Sequence, residues 1–505
     1  MRLSELLSEL KIVKKSISRD FEVKKITSDS RELIDSSIFF AIKGTRTDGL
    51  NYVGDALKSN SVVVVDREIS EGLKFGDYIM VENIIDAMNT IAAKYYNYPF
   101  REMKMIGVTG TNGKSSITYL VESVGLASKM NVGVIGTINY RYKDKILPAP
   151  NTTPEALVLM RLLREMRDAN TDLLVMEVSS HGLALRRTAA LKFDVVIFTN
   201  LSRDHLDFHR DMEEYFNAKR LLFQREYSKD ENSAAIINVD DEYGKRLKGE
   251  SFPKIFGYSL QNRNEFIHCL RYEIGGESIK ADISIDGKII GIKSHLIGLH
   301  NLYNIMATAG AMYMSGCGLE DIAKGISNLE YVPGRLQKVK NDFGIRCLVD
   351  YAHSDDSLRN VLSALSGLGH NRIITVFGAG GDRDRGKRPL MAKAVCEFSD
   401  VVIITSDNPR TEDPGRIIED IEMGVDKSFI KIDSDELKGA NSKVYTIIEN
   451  RAEAIRRAVM SAVSGDIILI AGKGHEDYII EGTQKRYFSD VEEAERAFAM
   501  KRGEL

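Results

Sequence analysis

Residues 107–116, GVTGTNGKSS, place glycine, lysine and hydroxyl in an order suited to holding phosphate. The apolar run MKMIGV before them reads as a strand, and ITYLVESVG after them as a helix from about Ser115. Gly110 and Gly113 let backbone N–H groups turn inward toward phosphate oxygens, and the helix N-terminus adds the positive end of its dipole. Lys114 can reach terminal phosphates, and the Ser115 hydroxyl can hold Mg²⁺. The strict pattern G-x-x-x-x-G-K-[ST] fails by one position, because its first glycine falls on Val108. A glycine-rich turn with an incidental lysine is the bland alternative. Three suitable residue types in order between a strand and a helix favour a nucleotide site.

Other chemistry-bearing residues also follow strand-like runs. Glu177 comes after LLVM, where a carboxylate suits Mg²⁺ and its preference for hard oxygen ligands; alone it reads as a surface or helix-capping glutamate. NLSRDHLDFH (200–209) crowds Asp204, His205 and Asp207 into one loop, which also reads as a polar turn with an aspartate cap. Lys219 stands in the apolar helical stretch YFNAKRLLF, where a lysine usually snorkels. Further on, GAGGDRDRGKRPLM (378–391) carries Arg383, and TSDNPRTEDP (405–414) carries Asp407, Asn408, Pro409 and Arg410. A guanidinium fork binds a carboxylate bidentately, and Glu476 in GKGHEDY could grip an ammonium. Each stretch also reads as a surface turn.

The elements that must position these residues alternate strand and helix. SVVVVD (61–66) is a continuous apolar run of the kind found in buried parallel strands, and DAMNTIAAKYYNY (86–98) reads as a helix stopped by Pro99. Strand-like runs at 131–137, 172–180, 194–200 and 234–240 are separated by helical stretches such as 154–169. Residues 281–298 alternate around a D-G turn, which predicts a hairpin. The pattern restarts with runs at 346–353, 372–381, 400–408 and 466–476. An α/β protein of three domains is expected, at 1–100, 101–332 and 333–505, with ligands beyond the carboxyl ends of parallel strands. The net charge of −4 gives no basic excess for nucleic acid, and no apolar run is long enough to span a membrane. The four cysteines (Cys269, Cys317, Cys347, Cys396) are scattered, as in reduced cytosolic proteins, and the N-terminus lacks a signal-peptide core. A cytoplasmic protein, and a monomer, are expected.

The loop GVTGTNGKSS resembles the G-x-T-G-T-N-G-K-[ST]-[ST] loop of the Mur ligase superfamily, which includes the folylpolyglutamate synthetases. The resemblance implies a P-loop-type central ATPase domain with a parallel sheet, a Rossmann-like C-terminal domain, and ATP on Gly110, Thr111, Asn112, Gly113, Lys114, Ser115 and Ser116. It implies a second Mg²⁺ site on Glu177 and His205, and a carbamylated Lys219. That modification would turn a cation into an anion beside metal ions. GLHNLYN, VPGRLQ and VDYAH match further family segments, placing Asn304 near adenine, Arg335 in contact with ATP, His353 toward the phosphates, and Asp350 on ribose. The proline usual after the VDYAH motif is Asp355 here. ITSDSR, NTTP and VSSHGLALRR match the segments for the UDP-sugar substrate, giving Ser28, Ser30, Thr152, Thr153, Ser179 and Arg187. Leu185 stands where some relatives carry glutamine, so that contact is missing.

Arg383, Asp407, Asn408, Pro409, Arg410, Gly472 and Glu476 resemble the amino-acid pocket of the branch that adds meso-diaminopimelate to UDP-N-acetylmuramoyl-L-alanyl-D-glutamate through an acyl phosphate. A lysine-adding relative is the nearest alternative. Lysine lacks the second carboxylate that two arginines would hold.

Overall fold

Runs of branched apolar residues build three sheets dominated by parallel pairing, and the strands in their interiors are buried on both faces. The computed structural model describes residues 1–44, 47–70, 76–441 and 443–503. Its first sheet has five strands in the order Ile12–Ser16, Tyr78–Val81, Val62–Val65, Ser37–Phe40, Lys25–Thr27. Only the pairing to Ile12–Ser16 is antiparallel. The valine run lies within this sheet, fully buried, as its composition predicts. The helix expected over 86–98 spans Ile84–Tyr95 and ends before Pro99. Asn83 caps its start, and Asn97 and Tyr98 turn the chain with φ of 60° and 47°. Pro99 instead opens the short turn Pro99–Arg101, where its fixed φ suits a first helical position.

The second sheet has eleven strands. Its parallel part runs Val132–Ile135, Leu173–Glu177, Lys104–Thr109, Val195–Phe198, Ala234–Asn238, Lys254–Ser259, Ile267–Ile274. The expected hairpin forms from Ile279–Ile285 and Lys288–Ser294, with Asp286 and Gly287 at φ 53° and 73° in the turn. A second hairpin, Asn139–Tyr142 with Lys145–Pro148, extends the other edge. Its short, charged strands carry too little apolar alternation to be read from sequence. Strand Lys104–Thr109 lies between Leu173–Glu177 and Val195–Phe198. The carboxyl ends of these three neighbours therefore deliver residues 110–113, Glu177 and the 199–209 loop to one place.

The third sheet runs Gln337–Val339, Arg346–Asp350, Ile467–Ala471, Ile373–Phe377, Val401–Ile404, Val444–Ile447, Ile430–Lys431, and all but the first pairing are parallel. A small hairpin, Tyr478–Glu481 with Gln484–Tyr487, follows it. One apolar cluster runs from Leu3 and Ile38 through Ile91 to Leu159, Leu174 and Phe198, so the first sheet and one face of the second share a core. All four cysteines are free. Among the described residues no helix is long and apolar enough to cross a membrane.

Candidate active site

The loop after Lys104–Thr109 needs both of its glycines. Gly110 has φ 143°, and a Cβ there would meet Thr199 Oγ1 at 1.8 Å. Gly113 has φ 92°, and a Cβ would meet Asn304 Oδ1 at 2.4 Å. The neighbouring strand end fixes the loop, because Thr111 N–H donates to the Asn200 carbonyl and Asn112 N–H to Asn200 Oδ1, each at 2.9 Å. Lys114 opens the helix Lys114–Ala127 and folds back, donating to the carbonyls of Gly110 at 2.8 Å and Thr111 at 2.7 Å. Lys219 reaches the same Gly110 carbonyl at 2.9 Å from the helix Met212–Arg220. Two lysine side chains thus converge on one carbonyl. Burial pushes the Lys219 amine well below its ordinary range, and the nearby Lys114 charge pushes it further. Burial lowers Lys114 too, with Glu177 opposing.

Ser115 donates to Glu177 Oε1 at 2.9 Å and accepts from Arg335 Nη2 at 3.2 Å. Glu177 also accepts from Thr137, through N–H at 3.0 Å and Oγ1 at 2.9 Å. Thr137 Oγ1 lies 3.0 Å from Thr152 Oγ1. Thr153 Oγ1 lies 3.1 Å from Ser179 Oγ, and Arg187 Nη1 donates to the Thr153 carbonyl at 3.0 Å. Thr152, Thr153, Ser179 and Arg187 therefore form one group beside Glu177. Ser28 and Ser30 follow an edge strand of the first sheet, and among the described residues no hydrogen bond joins them to that group.

His205 takes φ 56°, packs at 5.0 Å from the His181 ring, and is pushed down to about 3 by burial. Beside it Asp204 faces His353 at 3.8 Å and Lys387 at 3.7 Å. Burial opposes its charge, but His205, Lys387 and His353 hold its carboxyl below the usual range. Arg203–Asp384 at 3.1 Å and Asp207–Arg383 at 3.9 Å join the same two loops. Asp356 accepts from Asn112 Nδ2 and Ser202 Oγ, both at 2.8 Å. Asp356, Lys387 and Thr137 were not singled out from the sequence. Their shared signal is position just beyond a strand or at a helix start, which many residues satisfy.

A cavity of about 670 Å³ lies between the glycine loop and the third sheet, lined by Asn112, Gly113, Ser116, Asn304, Arg335 and Asp350, with Tyr258 and Tyr272 at its apolar side. Asn304 is buried and donates to Asn301 Oδ1. Arg335 lies over the Tyr351 ring at 4.7 Å. Asp350 accepts from the N–H groups of Ala352 and Leu336, and burial raises it above the usual carboxylate range. His353 is fixed through Nδ1 to the Tyr351 carbonyl at 2.8 Å.

The last cluster lies beyond Val401–Ile404 and Ile467–Ala471. Asn408 Nδ2 donates to Glu476 Oε2 at 2.9 Å, and Tyr351 OH approaches Glu476 Oε1 at 3.4 Å. Gly472 has φ 122°, with Asp407 Oδ2 2.5 Å from where a Cβ would stand. The Pro409 carbonyl packs against Gly381, and Arg410 Nη1 donates to the Gly381 carbonyl at 2.7 Å. Arg383 is exposed on the opposite loop. Tyr351 therefore touches both the cavity wall and the Glu476 pocket.

Among the described residues no three His, Cys, Asp or Glu side chains stand close enough to hold a metal by themselves. The donors do suit Mg²⁺ chemically, since Ser115 and Glu177 offer hard oxygen atoms beside the phosphate-type loop.

Residues 108–312 match the family described as Mur ligase middle domain, and residues 334–474 match Mur ligase, glutamate ligase domain. A UDP-N-acetylmuramoyl-L-alanyl-D-glutamate–2,6-diaminopimelate ligase of Geobacter metallireducens is 42% identical over 99% of this chain and 98% of its own. One of the same name from Lactiplantibacillus plantarum is 38% identical over 99% of both. A solved structure bearing that name superposes with TM-score 0.68, 29% identity and 99% coverage of each chain. A MurF ligase from Thermotoga maritima in complex with ADP shares the fold at TM-score 0.64 and 16% identity, covering 95% of this chain and 98% of its own.

Proposed function

The chain belongs to the Mur ligase family, and from that premise we propose that it uses ATP to join meso-diaminopimelate to UDP-N-acetylmuramoyl-L-alanyl-D-glutamate, a step of peptidoglycan precursor synthesis. The observation that carries the proposal is the convergence of Lys114 and Lys219 on the Gly110 carbonyl, in a loop that Ser115, Arg335 and Tyr351 connect to a pocket joining Asp407, Asn408 and Glu476 with Arg410 beside it. The names of the full-length relatives support the same amino acid over lysine.

ATP is a substrate here, with its phosphates against the N-terminal N–H groups of helix Lys114–Ala127 and its base in the cavity beside Tyr258 and Tyr272. Lys114 would exchange its loop carbonyls for phosphate oxygens, placing its charge on the group that moves. Ser115, Glu177, His205 and a carbamylated Lys219 would hold Mg²⁺, which supplies charge neutralisation on the phosphates. Burial disfavours the ammonium form of Lys219, and the amine form it favours is the one that adds CO₂. Thr152, Thr153, Ser179 and Arg187, with Ser28 and Ser30 of the first sheet, would hold the UDP-sugar peptide so that its D-glutamate carboxylate meets the terminal phosphate. The acyl phosphate formed there is attacked by an uncharged amine of diaminopimelate, which gives up a proton as the amide forms and phosphate leaves, while the second amino group is held as ammonium at Asp407 and Glu476. The contacts of Arg203, Asp204 and Asp207 tie the 199–209 loop to the third domain, and closure there would keep out water that hydrolyses the acyl phosphate.

Phosphate release measured with the UDP-sugar dipeptide and meso-diaminopimelate, L-lysine or L-ornithine in parallel tests the reading. Turnover with diaminopimelate far above that with L-lysine or L-ornithine is expected. Equal turnover with L-lysine would move the chain to the other branch.

A further inference from the structure

Lys473 follows strand Ile467–Ala471 by two residues, and its side chain has no accessible surface. Its ammonium donates to Asn408 Oδ1 at 3.0 Å and Asp407 Oδ1 at 3.3 Å, and stands 3.5 Å from Glu476 Oε2. An ammonium is held in such a place only when it is paired and hydrogen-bonded.

Two consequences follow for the pocket. The first concerns orientation. Asn408 Oδ1 accepts from both Lys473 Nζ and Ile480 N–H, each at 3.0 Å, so its Nδ2 must face Glu476. The flipped amide would set donors against donors. The second concerns charge. Asp490 is matched by Arg451, which donates through Nε and Nη2 at 2.7 Å. Setting aside Arg410, whose charge the proposed function gives to the second carboxylate of the substrate, Asp407 and Glu476 stand against Lys473, which leaves one negative charge as the complement of one ammonium. Arg410 from the 405–410 loop, His353 and Tyr351 beyond strand Arg346–Asp350, and Tyr478 from the small hairpin also face these carboxylates.

We infer that Lys473 is a positioning residue for the ammonium of the amino-acid substrate: it fixes the Asn408 amide and offsets one of two pocket carboxylates, leaving one net negative charge for the ligand. The inference rests on the amino-acid pocket of the proposed function. Burial and the neighbouring Asp407 raise the Glu476 carboxyl, while Lys473 works against them. Removing Lys473 therefore makes Glu476 take up its proton at higher pH, and ammonium binding is lost sooner as pH falls.

In Lys473→Met the KM for the amino acid is expected to rise about tenfold or more, with KM for ATP unmoved. The acid limb of kcat/KM for the amino acid should move up by about one pH unit or more. Lys473→Met combined with Asp407→Asn restores the net charge and should bring that limb back. Thermal unfolding reports whether each variant folds. If Lys473→Met does not fold, Asp407→Asn alone decides, because it should lower the acid limb below that of the parent enzyme while raising the amino-acid KM. An unmoved acid limb in the folded variants, or equal losses in the KM for ATP and for the amino acid, would overturn the inference. Parent enzyme that releases no phosphate with diaminopimelate would instead sink the substrate reading, and L-lysine assayed alongside separates the two failures.

Discussion

Arg410→Ala isolates recognition of a second carboxylate from the rest of the site. The backbone of Arg410, at φ 53°, is pinned by N–H to the Ile480 carbonyl at 3.0 Å and by Gly482 N–H to its own carbonyl at 2.7 Å. Its Nη1 is committed to the Gly381 carbonyl, which leaves Nη2 and Nε as a free fork on a guanidinium whose charge is felt at Glu476. A hydrogen bond to a charged group is worth about 1.5–3 kcal/mol. The side chain is only half-buried, so the low end applies, and two lost bonds give about 3 kcal/mol, or ~2 decades in kcat/KM for diaminopimelate. L-lysine has no second carboxylate, so its slow turnover should change by less than about threefold, within the worth of one neutral hydrogen bond. Arg410→Lys keeps the charge without the fork and should fall between, at about tenfold. The assay is phosphate release at saturating ATP and UDP-sugar dipeptide, with each amino acid titrated. The lost Gly381 bond costs about 1 kcal/mol of stability, too little to unfold the sheet around it. Equal losses for both amino acids would refute the assignment, and so would an Arg410→Ala enzyme as active as its parent.

Gly113→Ala sets a Cβ 2.4 Å from Asn304 Oδ1 at a positive φ. It should weaken ATP binding by about tenfold or more, read by calorimetry, from ~1–2 kcal/mol of backbone strain plus displacement of Asn304. Asp490→Ala leaves Arg451 buried and unpaired, and should cost about 3–5 kcal/mol in the denaturant transition of the third sheet. Lys219, whose ammonium form burial disfavours, should add CO₂ and release a proton, so mild acid and CO₂-free buffer both reverse the reaction. A carbamate signal from ¹³C-bicarbonate, absent in Lys219→Arg, and activity recovered on adding bicarbonate are the expected outcomes; a spectrum identical in parent and variant would remove that residue from the metal set.

The phosphate loop was legible because its chemistry is local: two glycines, a lysine and a serine within six residues, framed by a strand and a helix. The same holds for the D-G hairpin at 286–287 and the valine strand, whose periods are set by near neighbours. The end of the helix Ile84–Tyr95 was misjudged because left-handed Asn97 and Tyr98, not Pro99, turn the chain there. The resemblance of motifs across the chain carried the rest of the site, but one residue at a time.

The sequence by itself determined which segments are strands, which loop can cradle a triphosphate, and which side chains offer carboxylate or guanidinium chemistry, since all of these depend on local period and residue type. Tertiary structure alone decided which of them meet. Strand order put Glu177, Thr137 and the 199–209 loop around Ser115, and third-sheet pairing buried Lys473 between two carboxylates. Those neighbours are separated by tens to hundreds of residues, and only the free energy of burying both faces of each sheet fixes their order. The shifts in proton affinity follow from that burial, because desolvation disfavours a buried ammonium and no single stretch of sequence encodes it.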